Sequence, residues 1–440
     1  MASLPTGSGF TRRTLLGAGV SAAAVAALAA CSTGGGSGTS GGGNASKPLQ
    51  FWNMPWGPTA FLNEDKRIVA AYKPKSGFGT VNYRQIQWAN FTQTFSTAVA
   101  ANTGPAVSSG GGTQAFLFES QKKIAYADNL LETFKKEGIY DDFLPNLVDT
   151  LKTKNGYAAV PYNLDMRVLW YNKDLLDEVG ATPPTDWASF EKACKALKTK
   201  GIYGYGTYSG AGAFTGGHNI VSHMINNGGG LFDENQQVNA VTTENIEAVQ
   251  WVLDLVKQGF VDPRAATYTS ANVYQQLNAK KFGMHWDGAG VQANVNADVA
   301  KSWVVADPLK SPSGKTGALY FPNNIMMYKN TPSQKASEAF LLYYYQNMKT
   351  LWTKQTGIGL PPLKSIGKAA YTNDPNASKI LDAWQPISKT WGAPGQNTVF
   401  LNVTKVDGTQ PMINFAQSVL QGKVGAKEAL TTLQSALKSA

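Results

Sequence analysis

The sequence predicts an α/β fold of two lobes, and three observations carry that reading. Residues 49–112 alternate strand, helix, strand, helix and strand, the order of a parallel sheet. Residues 157–180, YAAVPYNLDMRVLWYNKDLLDEVG, set two apolar runs on either side of a short polar bend, as a chain does where it crosses between lobes. About 260 residues follow with strand and helix patterns of their own, and a chain of 440 residues exceeds one ordinary core.

The first 31 residues read as a targeting segment outside the fold. Arg12-Arg13 form a twin-arginine pattern, and an alanine-rich apolar stretch follows that is short for a membrane span. It closes on Leu28-Ala29-Ala30-Cys31, which resembles a lipobox in which Cys31 becomes the lipidated N-terminus. Residues 32–47 are almost all Gly, Ser and Thr, a flexible tether with a typical span of roughly 20–25 Å. The Asn44-Ala45-Ser46 sequon is read as part of that tether.

In the first lobe, a strand at 49–52 ends in the loop Asn53-Met54-Pro55-Trp56-Gly57. Such loops are where open α/β sheets present ligand-binding groups. A helix at 61–72, a strand at 79–88, a helix at 91–101 and a strand at 106–112 with a glycine-rich end complete the unit. After the crossing, Thr185 is the expected cap of a helix at 187–198, in which Cys194 is a buried thiol in step with Phe190 and Leu197. A strand at 201–206 leads to a glycine-rich loop at 209–217 and a helix from 220. The helix at 244–257 is amphipathic through Ile246, Val249, Val252, Leu253 and Val256, and Gly259 closes it. Strands follow at 281–286 and 303–305, then a bent strand at 318–327 and an aromatic helix at 335–348. Helices at 413–420 and 426–437 end the chain.

Several segments together resemble one family. They are LQFWNMPWG, ANTGPAV, the crossing stretch with Pro183-Pro184-Thr185-Asp186-Trp187, INNGGGLFDE, VTTENIEAVQWVLDLVKQGFVDP, FGMHWDGAG and GIGLPPLKS, in that order. The chain resembles the family 1 bacterial extracellular solute-binding proteins, the maltose-binding-protein-like receptors of ABC importers, over residues 48–440. It departs at Ala106, where an Asp is usual, and at Asp186, where a Thr is common. The resemblance implies a periplasmic-binding-protein-like type II fold, with a central ligand cleft and several hinge crossings. One lobe would be 48–163 with about 316–360, and the other 164–315 with about 361–440. It further implies a sugar or oligosaccharide ligand, ABC transporter permease subunits as partners, no cofactor, and a monomer anchored by lipid outside the cytoplasmic membrane.

Trp52, Trp56, Trp286 and Trp391 sit in or beside Gly, Pro or Asn loops and are the candidates for stacking on a pyranose face. The polar candidates are Asn53, Gln87, Ser109, Gln114, Tyr162, Asp165, His218, Asp287 and Asn324. Arg167 stands on a strand at the crossing and needs a partner if buried; it either pairs with Asp165 or meets a ligand, and pairing is favoured. Trp170, Trp251 and Trp384 read as core residues. Glu119, Asp165 and Asp287 on loops leave a second reading open, an extracellular glycosidase or lyase, and a binder of a non-sugar solute is a third. Gly288-Ala289-Gly290-Val291-Gln292-Ala293 matches a dinucleotide fingerprint, but Asp287 crowds the place of the pyrophosphate, so a turn is expected. The three His lack metal-ligand spacing, and with Cys31 committed no disulfide or cysteine metal site is expected. The net charge of +10 falls to +8 once Arg12 and Arg13 leave with the leader. It is spread in runs of at most two, as on a solvated surface rather than a nucleic-acid face.

Overall fold

The computed structural model describes residues 44–88 and 91–440. The leader, Cys31 and most of the expected tether lie outside the described residues. In chain order the strands are β1 (Leu49–Asn53), β2 (Val81–Gln85), β3 (Val107–Gly110), β4 (Ile124–Ala125), β5 (Lys152–Thr153), β6 (Gly156–Tyr157), β7 (Val160–Met166), β8 (Val168–Asn172), β9 (Tyr203–Gly206), β10 (Phe282–Asp287), β11 (Trp303–Val305), β12 (Ala318–Tyr328) and β13 (Ser388–Lys389).

They form two principal sheets, one for each α/β lobe. In the seven-stranded sheet β1 lies between β2 and β3, parallel to both, with helices Thr59–Ala70 and Phe91–Ala100 in the connections. The long β12 runs antiparallel to β3, β4 and β7, and β13 pairs with its beginning. The bend expected in 318–327 has a local cause. Pro322 lacks an N–H to donate, and the register with β7 slips between Asn323 and Asn324, as at a bulge. The four-stranded sheet has the order β11-β8-β10-β9. Its strand β10 is buried at every residue, which is why FGMHWD lacks polar alternation on a simple pattern. A small hairpin of β5 and β6 stands apart.

The crossing is abrupt. The chain leaves the larger sheet at Met166 and enters the smaller one at Val168, with Arg167 as the single residue between. The backbone N–H of Arg167 donates to Leu319 O on β12 at 2.9 Å. The strand stays with the larger sheet through Met166, because Leu164, Asp165 and Met166 pair with Pro322, Phe321 and Tyr320.

Helix Trp187–Lys198 is capped by Asp186 rather than by Thr185. The Asp186 carboxylate accepts from Ser189 N at 2.7 Å, and the Ser189 hydroxyl accepts from Asp186 N at 3.0 Å, closing a capping box. Cys194 is buried on this helix, and burial pushes its thiol well up. Helix Thr215–Asn226 is buried along its whole length among helices Thr243–Lys257 and Gln410–Leu420 and strand β12. Glycine permits this: a Cβ at Gly216 would stand 2.6 Å from the Tyr208 carbonyl oxygen. His218 on this helix lies beside Arg167.

The expected turn at 288–293 leads into the four-residue helix Val291–Asn294. The Asp287 carboxylate accepts from Gly288 N at 2.7 Å and so occupies the amide that a pyrophosphate would need.

Candidate ligand cleft

The loops after the parallel strands β1, β2 and β3 open on one side of the larger sheet, the place where such sheets bind ligands. Facing them are Phe214 at the head of helix Thr215–Asn226 and the segment 404–408. Between the two walls lies a cavity of about 460 Å³, lined among others by Trp88, Phe91, Gly111, Gln114, Phe214 and Asp407.

Trp88 carries the aromatic wall. It is 42% exposed, where nearly every other large apolar side chain is covered. Its ring is braced edge-on by Trp56 at 5.0 Å and by Phe91 at 5.5 Å, and its indole N–H donates to Pro55 O at 3.3 Å. Gln114 begins helix Gln114–Ser120 and is 5% exposed, and neither its amide nitrogen nor its amide oxygen has a protein partner. Gly110 makes room for it, since a Cβ there would stand 1.9 Å from Gln114 Oε1. Both atoms are buried as the side chain stands, and a turn of the amide toward the cavity would let a hydroxylated ligand offset the cost of leaving them unpaired.

Other predicted residues fall elsewhere, for stated reasons. Trp52 is covered by the Arg84 guanidinium at 4.7 Å and the Phe95 ring at 5.3 Å, so it has no face for a ligand. Trp286 is 1% exposed under His223 and Trp384, on the opposite face of β10 from His285 and Asp287. Asn53, Ser109 and Tyr162 are fully buried and bonded within the lobe. The Ser109 hydroxyl accepts from Trp56 Nε1 at 2.9 Å and Met54 N at 3.1 Å, and donates to Asn53 Oδ1 at 2.5 Å. Asn53 Nδ2 donates to Asp65 Oδ2 at 2.7 Å, Tyr344 donates to Asp65 Oδ1 at 2.6 Å, and Tyr162 and Tyr344 share a hydrogen bond of 2.9 Å. Burial pushes Asp65 up to about 6, against the pull of these hydrogen bonds. This network holds the Trp56 loop rather than a ligand. Asn324 is buried, with Nδ2 donating to Gly112 O at 3.0 Å and Oδ1 unpartnered. Gln87 is exposed beside Trp88, its amide donating to Gln85 Oε1 at 3.2 Å.

A second cluster joins the cavity to the crossing. Arg167 Nη1 donates to Asp165 Oδ2 at 2.8 Å, Nη2 lies 3.1 Å from His218 Nδ1, and the guanidinium sits 4.9 Å over the Phe321 ring. His218 Nε2 lies 3.5 Å from Asp407 Oδ1. Phe321 at 4.8 Å and Trp391 at 5.5 Å enclose the His218 ring; Trp391 is itself buried, with its indole N–H unpartnered. Burial pushes His218 down, and Arg167 adds to the effect while Asp407 opposes it, leaving it below its ordinary value. Asp287 accepts from His285 Nε2 at 3.0 Å and Tyr274 OH at 3.3 Å. Burial pushes Asp287 up, but its hydrogen bonds to His285 and Gly288 and the charges of His285 and Arg167 outweigh that and hold it below the usual carboxylate range. A general acid for glycoside cleavage needs the opposite shift. Glu119 accepts from Tyr126 and Asn155 near the far end of its helix, away from Gln114. Among the described residues no cluster of His, Cys, Asp and Glu could hold a metal ion.

Trp88, Phe214 and Asp407 line the cavity without being among the sequence candidates. The pattern makes Trp88 the end of a strand, yet it follows β2 as Trp56 follows β1, and that shared position is the available signal. Asp407 in VDGT had no comparable mark.

The chain is similar to several known proteins. A sugar transporter from Arthrobacter chlorophenolicus A6, solved with bound laminaribiose, is 44% identical; 90% of this chain and 99% of that chain are covered, with a TM-score of 0.79. The sugar-binding protein MalE from Xanthomonas citri shares the fold at 20% identity, with 89% and 98% covered and a TM-score of 0.73. The sn-glycerol-3-phosphate-binding periplasmic protein UgpB of Agrobacterium fabrum is 31% identical over 138 residues, 28% of this chain and 31% of that protein. The family model described as bacterial extracellular solute-binding protein matches residues 62–349. The chain therefore belongs to the bacterial extracellular solute-binding protein family.

Proposed function

We propose that this protein captures a neutral sugar, of about disaccharide size or larger, in the cavity between Trp88 and Asp407, and delivers it to the permease of an ABC importer. The observation that carries the reading is the pairing of the exposed Trp88 face with the unpartnered amide of Gln114 in one cavity. A sugar ring offers an apolar face to the first and hydroxyls to the second. The laminaribiose complex of the 44% identical relative supports the ligand class. A phosphate ester, the kind of ligand named for UgpB, fits less well. Among the described residues, the only charged side chain lining the cavity is the Asp407 carboxylate, and Arg167 is already paired with Asp165.

In this reading Arg167 is the first hinge, residues up to it with about 316–360 form one lobe, and the remainder forms the other. Ligand favours the closed state because it contacts both walls only there. The twin-arginine leader, Cys31 and the tether support a lipid-anchored monomer at the outer face of the cytoplasmic membrane. Among the described residues no helix is long and apolar enough to cross a membrane. Thermal shift with mono- and oligosaccharides, laminaribiose, glycerol 3-phosphate and polyamines tests the ligand class. A bound sugar at about one hundred times its Kd stabilises by about 2.7 kcal/mol. Stabilisation by glycerol 3-phosphate or a polyamine alone would overturn the sugar reading, and hydrolysis of a glycoside by the purified protein would overturn the binding role.

A further inference from the structure

Four side chains make a continuous chain of contacts from the cavity to the hinge. Asp407 lines the cavity, and its Oδ1 lies 3.5 Å from His218 Nε2, the long edge of hydrogen-bond range. His218 Nδ1 lies 3.1 Å from Arg167 Nη2, and Arg167 Nη1 donates to Asp165 at 2.8 Å. Arg167 is the single residue between β7 of one sheet and β8 of the other.

A guanidinium only donates hydrogen bonds. His218 Nδ1 must therefore present its lone pair to Arg167, which leaves the ring proton on Nε2, facing Asp407. The arrangement admits one tautomer of neutral histidine and excludes the imidazolium, because an Nδ1 proton would meet an Arg167 proton and one cation another. The charged groups facing His218 are Arg167 and Asp165 from the crossing and Asp407 from the segment 404–408. Phe214 of its own helix region, Phe321 of β12 and Trp391 add only apolar rings.

Resting on the reading of this cavity as the sugar site, we propose that His218 is a positioning residue that couples engagement of Asp407 by the ligand to Arg167 at the hinge, and that its protonation uncouples them and weakens capture. A ligand hydroxyl on Asp407 fixes the carboxylate, which draws the Nε2–H toward it and keeps Nδ1 turned to the hinge arginine. On protonation the ring or the guanidinium must leave, and the crossing loses the contact that holds Arg167. His218 is held below its ordinary value, chiefly by burial, so the neutral ring that the geometry requires is also the form favoured at pH 7, and it charges only on the acid side. Affinity is then level at neutral and alkaline pH and declines on the acid side.

Two measurements test this. Long-range ¹H–¹⁵N spectra of the three histidines, assigned by substitution, report the tautomer without any ligand. The expected result at pH 7.5 is neutral His218 with its proton on Nε2 and a resonance that moves in Asp407→Asn. Calorimetric titration of laminaribiose from pH 8 to 5.5 supplies the second readout. His218→Ala is expected to lose about tenfold in affinity. His218→Asn, whose amide oxygen accepts from Arg167 but does not titrate, recovers part of that loss and shows no acid decline. A proton on Nδ1, an imidazolium at pH 7.5, or an acid decline that persists unchanged in His218→Asn overturns the proposal. If wild-type protein does not bind laminaribiose, that sugar assignment fails while the tautomer and its response to Asp407→Asn still decide the relay.

Discussion

Two sets of polar side chains stand at the ends of the same strands and behave in opposite ways. Asn53 and Ser109 are bonded on every side, through Trp56, Met54 and the buried Asp65. Gln114, four residues beyond the end of β3, has a side-chain amide with no protein partner. The first set fixes a loop; the second meets a cavity. A residue's place at a strand end therefore does not distinguish a side chain whose hydrogen bonds are spent on its neighbours from one left without a partner beside the cavity.

The contrast can be broken by experiment, and the largest effect belongs to the saturated set. Asp65 has its folded value raised from 3.8 to about 6, so the folded state binds the extra proton between those limits. Stability from this group is present at low pH and is lost as the pH rises through about 6, a difference of about 3 kcal/mol. Asp65→Asn lacks that change. Denaturant unfolding of both proteins should show wild type gaining on the variant as the pH falls from 7 to 4; parallel curves would mean that Asp65 is not buried as a lone carboxyl. Ser109→Ala strands Trp56 Nε1 and leaves Met54 N and Asn53 Oδ1 only their bond to each other, and is expected to lower stability by about 2 kcal/mol. Its effect should show in the melting temperature more than in sugar affinity.

The cavity set should reverse that pattern. Trp88→Ala removes an exposed ring whose remaining neighbours are Trp56 and Phe91, so the melting temperature should hold while affinity falls by about tenfold. Gln114→Ala removes two unpaired atoms and is expected to cost about fivefold in affinity with stability equal or improved. Equal losses of stability and affinity in all four variants would erase the distinction between scaffold and cavity.

Much of this was legible in the sequence. Strand and helix order, the crossing at 157–180 and the bend in 318–327 all follow from patterning, because alternation and proline act locally. The cap of helix Trp187–Lys198 was placed one residue early, at Thr185. Both Thr185 and Asp186 are capping residues, and only the reciprocal bond with Ser189 selects Asp186. At the site, Asp165, Arg167 and His218 were named, yet their linkage depends on a helix and a crossing far apart in the chain. Trp52 and Trp286 carry the same loop-edge signature as Trp56. What separates them is the cover supplied by Arg84 and Phe95 in one case and by His223 and Trp384 in the other, and no local pattern encodes that cover.

The most direct test is a crystal structure of the protein grown with laminaribiose. The expected result is a sugar ring laid against Trp88, with hydroxyls within hydrogen-bond distance of the Gln114 amide and the Asp407 carboxylate. A sugar seated elsewhere, such as the groove lined by Lys315 and Lys389, with Gln114 still unpartnered, would contradict it.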